Sequence, residues 1–281
     1  MKRQILVFVV FFALGALSVF SQRKMVYLEP FKGDAAVPAQ LLSDVRAQIY
    51  RAVADLGRVT LVDGHNYGCA AARVVHADYI LRGVLNKASE QIKTGDREGE
   101  DYFDVDFEGE MQLVEVQTGN VLATKSIDGH GHQHIDLPGI PRHDRNYRTE
   151  ARSLENKAAD EAYGTAVKNC GGLVELLIDE NIKIEVHITG VTNATSDEVK
   201  GVTIDRGTFS GVSEGERFIV NVTTMMGNYP TTKKIAEIRV HSQPGLHEAN
   251  CKVVSGKKEL KLAMDKNLRL TIVSRTAKLF D

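Results

Sequence analysis

Three histidines at alternate positions, His130, His132 and His134, stand in the stretch from Asp128 to Asp136, with His143 and Asp144 a few residues further on. On an extended strand, alternate side chains leave one face together, and a His-x-His pair can chelate a single zinc or copper ion. His130, His132 and His134 are therefore the metal-ligand candidates of this chain. The surrounding residues point the other way. Gly129, Gly131 and the run Leu137-Pro138-Gly139-Ile140-Pro141 suggest a strand end passing into an irregular loop. A chelating pair needs a fixed backbone and supporting hydrogen bonds. The sequence thus sets a metal site against a solvent-facing contact loop.

A second acidic constellation lies just upstream. Asp104, Asp106, Glu108, Gly109 and Glu115 occupy the first, third, fifth, sixth and twelfth positions of an EF-hand-like calcium loop. Phe103, Val105 and Phe107 alternate through the same residues, which demands an extended chain that cannot also coil around an ion. Nucleophile elbows, phosphate-binding loops, dinucleotide fingerprints and the His-Glu-x-x-His helix are all missing from the sequence. No catalytic group and no cofactor are expected, and the chain is read as a non-enzyme.

The elements that would position these residues follow from periodicity. A strand from Lys24 leads to an amphipathic helix through Leu41, Val45, Ile49 and Val53, which Gly57 stops. Arg58–Asp63 reads as a strand, Tyr67–Val75 as a short helix and Ala77–Leu85 as a third strand. A charged connection over 86–101 then leads to a strand over Tyr102–Val116. The turn at Gln117–Asn120 returns the chain antiparallel into the histidine segment. A long helix over Thr149–Leu177 follows, weakened at Gly171-Gly172. From Lys183 on, hairpin-spaced strands predict a small all-β unit, a barrel or sandwich, in which Lys258–Ala263 reads as one of the strands. The fold class is accordingly an α/β N-terminal domain, a mixed sheet with packed helices, followed by a small all-β domain. The divisions are 1–21, 22–181 and 182–281.

Residues 1–21 have the pattern of a secretory signal. Lys2 and Arg3 precede an apolar run of sixteen residues, Ile5–Phe20, with Val19 and Ser21 suited to a cleavage before Gln22. The run is shorter than the roughly 20 residues a membrane helix needs, and no cysteine adjoins the cut to carry lipid. Loss of Lys2 and Arg3 leaves 33 basic and 37 acidic side chains, a net charge of −4. That balance argues against nucleic acid and gives no reason to expect anionic lipid. Three cysteines, Cys69, Cys170 and Cys251, are too few and too odd in number for a disulfide framework. Buried thiols are expected, with a Cys170–Cys251 pair as the alternative.

Four segments in order, VYLEPFKG, RVTLVD, ADYILRGVL and LVEVQTGNVLATKSIDGHG, resemble the signature segments of the CsgG-like family over about residues 24–180. That family includes the curli secretion channel and the LpoB-type activators of cell-wall synthases. Gly64 follows Asp63 where the family often has Arg. Gly201–Val220 more loosely resembles the glycine-rich β module of flagellar and envelope accessory proteins. The resemblance implies an exported protein of the bacterial periplasm or cell envelope, not lipid-anchored, whose partners are other envelope proteins or further copies of itself. No transmembrane segment is expected in the mature chain, and peripheral membrane association is compatible with it. Channel members extend membrane hairpins from two connections; here both connections are polar at both parities, against a pore. A curli-type secretion component and a metal-dependent protein using His130–His134 remain the alternatives.

Overall fold

The computed structural model describes residues 23–64, 75–94, 101–136, 138, 144–226 and 229–276. The expected signal segment, most of the expected helix over Tyr67–Val75, Cys69 and His143 lie outside the described residues. Lys24–Ile182 and Lys183–Arg275 form separate compact units.

The first unit is a mixed sheet with three helices among the described residues. Its strands are β1 (Lys24–Leu28), β2 (Lys32–Gly33), β3 (Val59–Asp63), β4 (Tyr79–Thr94), β5 (Asp101–Glu115) and β6 (Val121–Ile135). They are ordered β3-β1-β4-β5-β6, with β2 beside β4. β1 is parallel to β3 and β4, whereas β4, β5 and β6 form an antiparallel meander. Helix α1 (Ala39–Leu56) is capped by Pro38 and ended by Gly57 in the left-handed conformation. Its buried face, Leu41, Val45, Ile49 and Val53, is the one the spacing dictates. Helices α2 (Tyr147–Ala166) and α3 (Cys170–Asn181) complete the layer. One core cluster joins the helices to Leu81, Val105, Phe107, Met111, Leu113 and Ile127.

Three expectations need correction here. The long helix breaks at Val167–Asn169, before the glycine pair. Gly171 instead faces Ala52 and Gln48 of α1, so its missing side chain serves helix contact. The charged connection is mostly strand: β4 continues to Thr94, paired with β5 as far as Asp101. Its charges are tolerated because they have cross-strand partners, such as Lys87 with Glu108 at 2.8 Å. The histidine segment is likewise no loop, since β6 runs through all three histidines to Ile135.

Gly129 and Gly131 are the reason the last expectation fails. A Cβ at Gly129 would lie 2.1 Å from the carbonyl oxygen of Ala166, and one at Gly131 would lie 1.9 Å from that of Ala162. Both glycines let the backbone of α2 rest on β6, opposite the stripe Ala158, Ala162 and Ala166. They mark close helix–strand packing rather than a strand end.

The second unit is one antiparallel sheet ordered β7-β13-β10-β11-β12-β9-β8. Its strands are β7 (Glu185–Val186), β8 (Ile188–Ala194), β9 (Val199–Ile204), β10 (Arg217–Met226), β11 (Tyr229–Val240), β12 (Ala249–Ser255) and β13 (Leu270–Ser274). β7 and β8 occupy opposite edges yet are separated only by His187. Val186 pairs with Ile272 at one edge and Ile188 with Ile204 at the other. A single connecting residue requires the sheet to curl, giving a half-barrel around Phe218, Val220, Ile238 and Cys251. Helix α4 (Lys257–Asp265) replaces the expected strand over Lys258–Ala263. Leu260 and Leu262 alternate as in a strand, but the buried pair is Leu260 and Ala263, at helical spacing, and Leu262 is exposed.

Candidate functional site: the outer face and free edge of β6

Because the odd-numbered residues of β6 meet α2, His130, His132 and His134 project from the opposite face. The register sets Asp106 opposite His130, Asp104 opposite His132 and Tyr102 opposite His134. His130 Nδ1–H donates to Asp106 Oδ1 at 2.7 Å. His132 Nδ1–H donates to Asp104 Oδ1. His134 Nδ1 lies 3.5 Å from Asp136 Oδ1. The Tyr102 ring stacks on His132 at 4.6 Å and meets His134 edge-on at 5.3 Å. Each of the three candidate residues thus belongs to one ladder.

Asp104 is the buried member, with 4% of its side chain exposed. Lys93 reaches across from β4 to its second carboxylate oxygen. The Lys93 hydrogen bond, with His132 adding to it, holds the Asp104 carboxyl below its ordinary range against the opposing effect of burial. A carboxylate bonded on both oxygens fixes the His132 ring, and Tyr102 packs on that ring.

The arrangement is a hydrogen-bonded ladder. The His130 and His132 rings are nearly parallel with centroids 6.4 Å apart. Two imidazole nitrogens that share one zinc at 2.0–2.1 Å would converge to within roughly 3.5 Å. Among the described residues, no three His, Cys, Asp or Glu side chains are grouped to hold an ion. The acidic run Asp104–Glu115 lies in β5 and is extended throughout.

Asp104, Asp106, Tyr102 and Lys93 are partners that the sequence did not assign to the histidines. The QTGN turn was the signal that could have found them, and a strand irregularity conceals it. Val114 lies opposite Val121 next to the turn. Counting on from there would set Asp104 opposite Gly131. A one-residue shift between Leu113 and Val114 brings Asp104 opposite His132 instead.

β6 is also the last strand of its sheet. Among the described residues no strand pairs with its other side, so every second residue turns its N–H and C=O away from β5. The edge runs for 15 residues. It contains no proline, and α2 covers a face of β6 rather than this edge.

The two cysteines among the described residues are free and buried in different clusters, Cys170 in the first core and Cys251 in the second. The Cys170–Cys251 pair is not formed. No helix among the described residues is long and apolar enough to cross a membrane.

Among the described residues, these features define an α/β sheet with helices on one face and a free edge, followed by a curled antiparallel sheet. No family model and no curated protein matches the chain. Among solved structures it is similar to a variant of the PelC dodecamer from Paraburkholderia phytofirmans, at 15% identity and a TM-score of 0.30 over 55% of this chain and 90% of that one. Lipoprotein GNA1162 from Neisseria meningitidis is similar at 8% identity and TM-score 0.31, over 49% and 99% of the two chains. A minor lipoprotein from Acinetobacter baumannii is similar at 15% and 0.30, over 53% and 92%. At these scores the likeness is distant and bears on neither activity nor partner.

Proposed function

We propose that this chain is a non-enzymatic accessory protein of the bacterial cell envelope that works by binding other proteins, and that β6 is the strand to which a partner adds. The free edge of β6 carries the proposal. A 15-residue edge that no strand among the described residues pairs is a template for main-chain hydrogen bonding, and soluble proteins ordinarily blunt such edges. Beside it, the His–Asp ladder supplies a rigid polar face that can select a partner through side-chain contacts. The apolar run Ile5–Phe20 supports export. Self-association is the form of this function in which the partner is a second copy.

Cross-linking in intact cells, followed by identification of the joined proteins, tests it. Specific envelope proteins are expected, and their recovery should fall several-fold in Ser126→Lys, which places a cation on the exposed side of the edge strand. A cross-linking pattern without any specific protein, or one indifferent to Ser126→Lys, would contradict the proposal.

A further inference from the structure

Three cations stand in one row across the second sheet. The register sets Arg217 of β10 opposite Arg239 of β11, and Arg239 opposite Lys252 of β12. Like charges directly opposite on neighbouring strands are destabilising. Arg217 is relieved by Glu237, whose Oε1 it reaches at 3.2 Å. That carboxylate also accepts from Arg275 and Lys234, so three cations already share it. Arg239 and Lys252 have no such relief, since among the described residues neither forms an ion pair. Lys257, at the start of α4, is likewise unpaired among them. Arg239, Lys252 and Lys257 line one groove of about 570 Å³, in which Glu214 is the single carboxylate of the lining.

Arg239 is held in place by its surroundings. Its Nε–H donates to the Gly215 carbonyl oxygen at 3.2 Å, and the Gly215 N–H donates to the Val240 carbonyl oxygen at 3.0 Å. Gly215 is left-handed, with φ 82°, and a Cβ there would stand 3.3 Å from Arg239 Nη2. With Nε engaged, the guanidinium keeps its Nη groups for an oxyanion, which a planar fork can meet at two oxygens. β12 carries one extra residue here, because Glu237 pairs with Ser255 and Ile238 with Val253. The bulge sets Val254, 47% exposed, in the groove wall. We infer that this groove binds a small molecule bearing a phosphate monoester. Arg239, Lys252 and Lys257 take the phosphoryl oxygens, and Val254 packs on the apolar part of the ligand. A phosphate monoester carries about −1.5 to −2 charge near neutral pH, which matches three cations less one carboxylate. The volume lies within the range of small-molecule sites, about 300–1,000 Å³. The site belongs to the second unit and is independent of the reading of β6.

Phenyl phosphate titrated into the full chain tests the inference, and saturable one-to-one binding is expected. Arg239→Gln should weaken it about tenfold or more, the worth of a charge-assisted hydrogen bond. Lys252→Gln should weaken it several-fold. Val254→Ser should weaken phenyl phosphate about threefold and leave inorganic phosphate unchanged. Lys233→Gln, which removes an exposed cation of β11 outside the groove, should change neither. Without ligand, Lys252→Gln should denature no earlier than wild type, because it removes a like-charge neighbour; its weaker binding is then a property of the site. Vesicles of phosphatidylcholine containing phosphatidic acid distinguish the source of the phosphate. Competition with phenyl phosphate that Arg239→Gln abolishes gives the groove a lipid headgroup, and a titration unchanged by the vesicles gives it a soluble ligand. Absence of saturable binding, equal weakening by Arg239→Gln and Lys233→Gln, or benzoate binding as tightly as phenyl phosphate would overturn the inference. So would a lower denaturation midpoint for Lys252→Gln.

Discussion

Gly131 lies directly beneath the carbonyl oxygen of Ala162, close enough that a Cβ at Gly131 would stand 1.9 Å from it. This contact sets α2 against β6 and thereby turns His130, His132 and His134 outward. Gly131→Ala should force helix and strand apart and lower stability by about 1–3 kcal/mol or more, measured as a fall in denaturation midpoint. Gly164 on α2 has open space around its Cβ position and is exposed. Gly164→Ala should therefore raise stability by roughly 0.5–1 kcal/mol. Equal effects of the two substitutions would contradict the packing account.

Acid should destabilise the protein through identifiable carboxylates. The Lys93 hydrogen bond holds Asp104 low, with His132 helping. Lys234, then Arg217 and Arg275, hold Glu237 low, against burial. Both groups bind a proton less readily folded than unfolded. They contribute stability that is complete above the ordinary carboxylate range of about pH 4, and it is lost as pH falls through the lower folded values. The denaturation midpoint should fall between neutral pH and about pH 3, and Glu237→Gln should show a shallower fall than wild type.

The histidine ladder makes a distinct statement about metal. Protein purified without a histidine tag should have the same metal content as the His130→Ala, His132→Ala, His134→Ala triple variant. Elemental analysis decides the matter. Stoichiometric metal in the parent, lost in the triple variant, would show that the rings reorganise around an ion.

Burial, reinforced by the charge of Asp128, pushes the Cys170 thiol up to about 11. Burial and Glu216 push Cys251 up to about 12. Neither is a thiolate near neutral pH, so alkylation of both should await unfolding. Mass spectrometry after a brief native exposure to iodoacetamide should find the two residues unmodified. Rapid native labelling of either would contradict their burial.

Elements dominated by one periodicity were legible from the sequence. α1 shows its buried face in Leu41, Val45, Ile49 and Val53, and β5 shows its own in Val105, Phe107, Met111 and Leu113. Legibility failed where residues had long-range reasons. Gly129 and Gly131 resemble strand breakers until α2 is seen lying on them. Lys87 and Lys93 resemble loop residues until Glu108 and Asp104 are seen to pair with them. The histidines were found by type and spacing, but their carboxylate partners depend on the one-residue shift between Leu113 and Val114. No local pattern announces that shift. Leu260 and Leu262 misled because two residues cannot distinguish a period of 2 from one of 3.6.

Protein binding along β6 is the central claim, and site-specific photo-cross-linking in intact cells tests it most directly. A photoreactive residue at Ser126, on the exposed face of the edge strand, should give discrete protein adducts. The same residue at Thr195, in the exposed turn between β8 and β9, should not. Adducts from Ser126 that are absent, or that match those from Thr195, would contradict the claim.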